Sequence, residues 1–429
     1  MNVPADAALA KRLWVLLGLA AACYYASFAF HPALFWLVGV NHYGVWFLDS
    51  FAVLASNDAV TRGLDPYAPN PLDYFHRPHV YSHWWLGLRH LGLTRADNLG
   101  VGLALVGAFF AAAVARLRPR EPRQFFYYLA ALCAPGVLLA VNRANNDLAI
   151  FAALALLVPC LRSRHRVARF FAPALVAFAA GLKYYPAAAV LLLAGGRDRR
   201  ETPRLLLFGL GLLLLVALDV GGDVVHFVQP VTKAEGLMTF SASTSFEALG
   251  LSARAATLAG AALGAAVFVW AWLAQPFAGW RTGGDESDWL HFTLGAVLLT
   301  GCFFTSTNFA YRWIFALWLL PLLWSLPGAD DAPRGARRTA RVALILLPLV
   351  LWIDAVFSML LLGNVGKATA DTIVRWAGIA FQLEQPLVWA LFACLLVFIA
   401  HFARQAWTDV FARGVSAPAA GASPARSRW

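Results

Sequence analysis

The sequence predicts an all-α, polytopic membrane protein, and three observations carry that expectation. Sixty per cent of the 429 residues are hydrophobic and only 13% are charged, where soluble domains carry about 25% charged residues. Apolar runs of roughly 20 residues recur along the chain, the length a helix needs to cross hydrocarbon. Those runs are rich in Leu, Ala and Val and show no period-2 alternation, which disfavours a barrel and favours helices that pair their backbone groups internally. The net charge of +11 does not signal nucleic acid, because most Lys and Arg sit in short clusters between apolar runs, as the positive-inside rule expects. The five cysteines (Cys23, Cys133, Cys160, Cys302, Cys394) are scattered through apolar segments with neither metal-ligand nor disulfide spacing.

Lys11-Arg12 precedes an apolar run too long for a cleavable signal, so it reads as a signal anchor with the N-terminus in the cytoplasm. The first span covers about 13–35. A long outer loop follows to about 97, rich in Pro, His and aromatics (Pro66, Pro69, Pro71, His76, Pro78, His79, His83, Trp84, Trp85) and therefore expected to be ordered at the interface. Spans at about 99–115, 125–141 and 148–161 alternate between basic linkers and the polar turn Asn142-Arg-Ala-Asn-Asn-Asp147. The run 170–196 has basic residues at both flanks, so it cannot be a single crossing. Its midpoint, Lys183-Tyr184-Tyr185-Pro186, combines a charge with a helix breaker, and two short helices meeting at Lys183 on the outer side are expected. Further spans follow at about 205–218, 255–273, 290–304, 313–326, 342–362 and 386–402. The reading is one bundle of about twelve transmembrane helices over 1–412, with a disordered cytoplasmic tail at 413–429.

Counted this way, every unusual polar cluster falls on the outer face: Asp49, Asn57-Asp58 and Asp65-Pro66-Tyr67 in the first loop, then 142–147, Lys183, Glu247, and Asn308 to Arg312. A cavity holding a carboxylate and several cations suits transfer of a sugar from a polyprenyl phosphate to a hydroxyl. The hydroxyl needs a base and the leaving phosphate needs cations. Simpler roles stand beside these. Asp49 can cap the helix that follows. Lys183 can snorkel between Tyr184 and Tyr185. Arg143 can pair with Asp147, and 65–67 can be a structural turn. Asp58 falls on the opposite side of the helix from Asp49. His76, His79 and His83 lie in a Pro-broken loop without a matched partner, so no metal site is expected.

In order along the chain, Asp49, Asp65-Pro66-Tyr67, Asn142-Arg-Ala-Asn-Asn-Asp147, Gly181-Leu-Lys183-Tyr-Tyr-Pro186 and Asn308-Phe-Ala-Tyr311-Arg312-Trp313 resemble the motifs of GT-C fold glycosyltransferases that use polyprenyl-phosphate sugars. The resemblance is to the bacterial branch containing polyprenyl-phosphomannose-dependent mannosyltransferases. It implies a GT-C-like bundle with a catalytic carboxylate in the first outer loop, here Asp49, as the base of an inverting single displacement. Lys183, Arg312 and Arg143 become the donor-phosphate ligands. Asp65, Tyr67, Asn142, Asn146, Asp147, Tyr184, Glu247, Asn308 and Tyr311 become substrate-binding residues. The implied partners are a polyprenyl-phosphate-linked sugar, such as a mannosyl donor, and a lipid or glycan acceptor. The implied setting is a bacterial cytoplasmic membrane with the site facing the periplasm. No metal or other cofactor is expected, since a monophosphate offers no diphosphate for a metal to clamp. Relatives carry histidines near the position of Tyr311-Arg312, and that departure leaves the donor open. Two rival classes share parts of the pattern: a transporter or flippase of lipid-linked sugars, which also uses broken helices and a buried Lys, and a GT-C-like subunit without activity.

Overall fold

The computed structural model describes residues 3–196, 200–223, 238–281, 286–305, 308–362 and 370–411. The described residues are mostly helical, with almost no sheet. Among the described residues, seven helices are long and apolar enough to cross a membrane: Ala7–Phe30, Arg95–Arg116, Thr202–Val220, Ala253–Ala274, Glu286–Thr305, Arg334–Phe357 and Gln382–Asp409. A bent pair, Pro122–Leu132 and Pro135–Arg143, with 50° between its halves, is long and apolar enough together to form an eighth. Pro135 cannot donate into the helix, and it holds Ala134 in extended geometry, so the bend falls there.

The expected all-α polytopic bundle is therefore seen, and of its about twelve expected spans these seven helices and the bent pair are long and apolar enough among the described residues. The four remaining apolar segments are helical but short or broken: Asp147–Leu154 with Leu157–Arg162, Arg166–Leu182, Tyr185–Gly195 (a 3-10 helix), and Ala310–Trp318 (also 3-10) with Leu320–Ser325. Prolines explain three of the interruptions. Pro159, Pro186 and Pro321 each lack the N–H that would bond to the carbonyl four residues earlier, at Ala155, Leu182 and Leu317. The run 170–196 breaks at Lys183, as the sequence suggests: one helix ends at Leu182, Lys183 is extended, and the next begins at Tyr185.

The labels used below are α1 (Val3–Phe30), α2 (Leu34–Leu37), α3 (Leu48–Thr61), α4 (Asn98–Arg116), α5 (Pro122–Leu132), α6 (Pro135–Arg143), α7 (Asp147–Leu154), α8 (Leu157–Arg162), α9 (Arg166–Leu182) and α10 (Thr202–Val220). Later helices are named by their residues. Glu286–Thr305 is the central helix, 78% of its apolar window being buried, whereas α4 and α10 bury only 17% and present apolar faces outward. Phe303 stacks on Phe392, and Phe151 on Trp318, across this centre. A two-stranded antiparallel pair, β1 (Thr239–Phe240) with β2 (Asn308–Phe309), brings the chain from α10 beside the Ala310–Trp318 turn.

The first loop is tied down, as expected. Asn57 of α3 donates to the Trp85 carbonyl at 3.0 Å and accepts from the Arg89 N–H at 2.8 Å. Trp85 Nε1 donates to the Leu182 carbonyl at 3.2 Å, the acceptor that Pro186 leaves without its helical partner. The loop is thus fixed to the end of α9, one residue before Lys183. His226, Gln229, Lys233, Glu235 and the 413–429 tail lie outside the described residues.

Candidate active site

Asp49 sits at the second position of α3. The N-cap is Phe47, in left-handed geometry (φ 60, ψ 43), so the capping role considered for Asp49 is corrected. A bulky residue at positive φ is a local strain that surrounding contacts must hold. Two contacts do so. Phe47 N–H donates to the Asn142 carbonyl at 2.8 Å, and the Phe47 ring lies against Gly102 of α4, where a Cβ would overlap it. Gly102→Ala is expected to cost about 1–3 kcal/mol, as overpacking does, and to displace the start of α3. Thermal unfolding in detergent measures the first effect. A fall in kcat larger than that seen for Gly107→Ala, at a glycine with open space around it, measures the second.

The Asp49 side chain is buried. Its Oδ2 accepts from Asn145 Nδ2 at 2.6 Å, and its Oδ1 lies 3.8 Å from a guanidinium nitrogen of both Arg77 and Arg143. Arg77 is anchored by Asp73, with contacts of 2.9 and 2.8 Å, and donates to the Leu48 carbonyl at 3.1 Å. Burial alone would raise the Asp73 carboxyl, but the hydrogen bonds and charge of Arg77 outweigh it and hold Asp73 below the usual range. Arg143 ends α6 and lies over the rings of Tyr43 and Phe309, 5.8 Å from each centroid.

A second carboxylate, Asp147, completes the cluster. Lys183 Nζ donates to its Oδ1 at 2.5 Å, Tyr185 donates to the same atom at 2.8 Å, and Arg312 Nε is 3.7 Å from Oδ2. Lys183 also lies over Tyr81 and Tyr311, and Arg312 over Tyr185. Gly136 permits this convergence: a Cβ there would strike the Ala310 carbonyl, so α6 can approach the turn that carries Arg312 only with a glycine at that position. Four cations (Arg77, Arg143, Lys183, Arg312) face three carboxylates (Asp49, Asp73, Asp147), which leaves one formal positive charge in excess.

The residues singled out from sequence divide accordingly. Asp49, Arg143, Asp147, Lys183, Tyr311 and Arg312 come together. Arg143 pairs with Asp49 rather than with Asp147. Asn146 is buried beside them, and neither polar atom of its side chain has a hydrogen-bond partner among the described residues. Asn142 contributes its carbonyl to Phe47, while its side chain turns to His42 Nδ1 at 3.0 Å. Asn308 donates to the Cys302 carbonyl at 2.6 Å and so closes the end of the central helix. Asp58 pairs with Arg95 at 3.6 Å, away from Asp49, as helix periodicity requires.

Four of the expected residues lie away from this cluster. Asp65 accepts from the Tyr67 N–H at 2.9 Å in a local turn. The Tyr67 hydroxyl faces Asp223 at 3.4 Å, and Tyr184 reaches toward the Val220 carbonyl at 3.5 Å. These three belong to a separate clasp between the first loop and the end of α10, in which Asp223 also accepts from the His83 backbone and ring at 2.9 Å. Glu247 is exposed on the short helix Ala242–Ala248. His79, in the same loop as Asp65 and Tyr67, is driven down to about 4 chiefly by burial and is neutral at physiological pH. Among the described residues, no group of three or more His, Cys, Asp or Glu is placed to hold a metal ion.

Sequence reasoning missed Arg77, Asn145 and Tyr185. Arg77 lies in a loop with no periodic signal. Asn145 was hidden among three asparagines of one turn, and Tyr185 beside an equivalent tyrosine.

Fold and site together define a polytopic α-helical membrane protein with a buried carboxylate and cation cluster assembled where its helices break. A family model described as Glycosyltransferase family 87 matches residues 86–306, a little over half of the chain. The chain belongs to glycosyltransferase family 87, a GT-C-type family, and is a membrane glycosyltransferase. No curated protein and no solved structure matches it. The matched segment contains Asn145, Asp147 and Lys183; Asp49 and Arg77 lie before it and Arg312 just after.

Proposed function

We propose that this glycosyltransferase moves a hexose, such as mannose, from a polyprenyl phosphate to a lipid or glycan hydroxyl by an inverting single displacement. The carrying observation is the buried Asp49 carboxylate in one cluster with an excess of cations. Asp49 accepts the acceptor's proton as its oxygen attacks the anomeric carbon. The bond to the lipid phosphate breaks on the opposite face, and the phosphate departs as an anion. Asp147 and Asp73 are poor alternatives as base, because Lys183, Tyr185 and Arg312 surround the first and Arg77 occupies both oxygens of the second. The reading places the reaction at the periplasmic face of a bacterial cytoplasmic membrane. Asn146 supports a role in recognising a sugar hydroxyl, since a buried amide with no partner among the described residues is placed to take one from a ligand or from water.

Of the cations, Arg143 and Arg312 best fit the donor phosphate, the Nε of each being buried without a hydrogen-bond partner among the described residues, and Arg143 is the one substituted. Lys183 and Arg77 already make close hydrogen bonds to carboxylates, whereas Arg143 makes no hydrogen bond among the described residues and its Nε is buried without a partner. Arg143→Ala is expected to lower kcat/KM for the lipid-linked donor by on the order of 10–100-fold, with little change in melting temperature. Arg143→Lys should recover part of the loss. Wild-type kcat/KM in Arg143→Ala would remove the assignment.

The function itself is tested by incubating purified protein with synthetic polyprenyl-phosphate mannose and, in parallel, a nucleotide sugar. Transfer from the lipid donor alone, with the anomeric configuration inverted in the product by NMR, is the expected result. Transfer from the nucleotide sugar alone would overturn it.

A further inference from the structure

Asn145 lies at the sharpest turn of the site. Ala144 ends α6 in left-handed geometry (φ 40, ψ 53). The Asn145 backbone is then fixed at both ends, its N–H on the Ala140 carbonyl at 3.0 Å and its carbonyl accepting from the Leu148 N–H at 2.9 Å. The side chain is almost fully buried, so its amide has few choices. Its Oδ1 accepts from the Asp147 N–H at 3.0 Å and from Lys183 Nζ at 3.3 Å. Both partners are donors only, and a flipped amide would turn its NH₂ against them. The amide orientation is therefore determined, and Nδ2 must face Asp49 Oδ2, where the contact is 2.6 Å.

We infer that Asn145 is the positioning residue of this glycosyl transfer: its amide holds one oxygen of Asp49, leaves Oδ1 as the oxygen that takes the acceptor's proton, and ties the base to Lys183. The inference rests on the reading of Asp49 as the base. Its physical content is orientation. A carboxylate on a short side chain rotates about χ2 unless something fixes it, and Arg77 and Arg143, each at 3.8 Å, lie beyond hydrogen-bond range. The Asn145 amide is the only hydrogen-bond donor to the Asp49 side chain among the described residues. Through its other end the same amide bonds to Lys183, so the position of the base is tied to the Lys183–Asp147 pair.

The discriminating variant is Asn145→Asp, which keeps an oxygen for the Asp147 N–H and Lys183 but has no N–H for Asp49. With the polyprenyl-phosphate donor, kcat is expected to fall on the order of 10–100-fold, the range for losing a hydrogen bond to a charged group. KM for the donor should stay near wild type, whereas the melting temperature should fall, because the new carboxylate faces Asp49 Oδ2 where the amide now lies at 2.6 Å; Asn145→Ser, which adds no charge, separates the lost hydrogen bond from that repulsion. In an Asp49→Asn background Asn145→Asp should cost nothing further, because residues acting through one another are non-additive. Wild-type kcat in Asn145→Asp, or a loss that multiplies with that of Asp49→Asn, overturns the inference. Should Asn145→Asp fail to fold, Asn145→Ser, which keeps a turn acceptor, is read by the same criteria. Asp49→Asn alone separates the two levels. Normal turnover there defeats the assignment of the base, whereas a slow Asp49→Asn beside a normal Asn145→Asp defeats only the role of Asn145.

Discussion

Purified Asp49→Asn protein is expected to remain folded, to bind the polyprenyl-phosphate donor, and to transfer sugar about 10²–10⁴ times more slowly, the usual consequence of removing a general base. The substitution is close to isosteric. It alters no helix cap, because the N-cap of α3 is Phe47. The introduced amide could still approach Asn145, and Arg77 would keep Asp73 and the Leu48 carbonyl. A steady-state rate beside a donor-binding isotherm tests this directly. Near-normal transfer would strip Asp49 of its role. The other first-loop acids would be weak substitutes, since Asp58 is paired with Arg95 and Asp65 is spent on its own turn.

The second large effect is one of stability. Lys183→Met should destabilise the protein by about 3–5 kcal/mol, the cost of removing one member of a buried ion pair, because Asp147 would keep only the Tyr185 hydroxyl and the more distant Arg312 at 3.7 Å. Asp147 is fully buried, Lys183 nearly so, and they meet at 2.5 Å. Adding Asp147→Asn should restore part of the loss, because Asn keeps a hydrogen bond to Tyr185 and carries no charge. Denaturant unfolding in mixed micelles of wild type, both single variants and the double variant gives the coupling. A lysine snorkelling to the membrane interface behaves differently: its loss would change stability by no more than about 0.5 kcal/mol, as surface substitutions do. A result of that size would mean that the Lys183–Asp147 pair does not hold the break in place, and that any loss of activity in Lys183→Met comes from the donor.

The sequence alone determined the class of fold and the stretches that matter. Composition and run length require a helical bundle in lipid, because unpaired backbone cannot remain in hydrocarbon. Basic flanks on both sides of 170–196, with Pro186 inside, require a break at Lys183, since the proline removes a helical bond and the flanks forbid one crossing. The ordered motifs marked Asp49, 142–147, Lys183 and 308–312, and the chain brings these stretches into contact. What remained open is decided by geometry that no local pattern encodes. Arg77 reaches Asp49 only because the loop folds back on itself around Asp73. Lys183 is extended, so adjacent tyrosines point to different places, Tyr185 to Asp147 and Tyr184 to the α10 clasp. Three successive polar residues, Asn145, Asn146 and Asp147, look alike in a string, and only a left-handed turn at Ala144 selects the one that meets the carboxylate. The form of the short segments, too, is decided in three dimensions: neighbouring helices pack against the ends that Pro159, Pro186 and Pro321 leave, which no local pattern encodes.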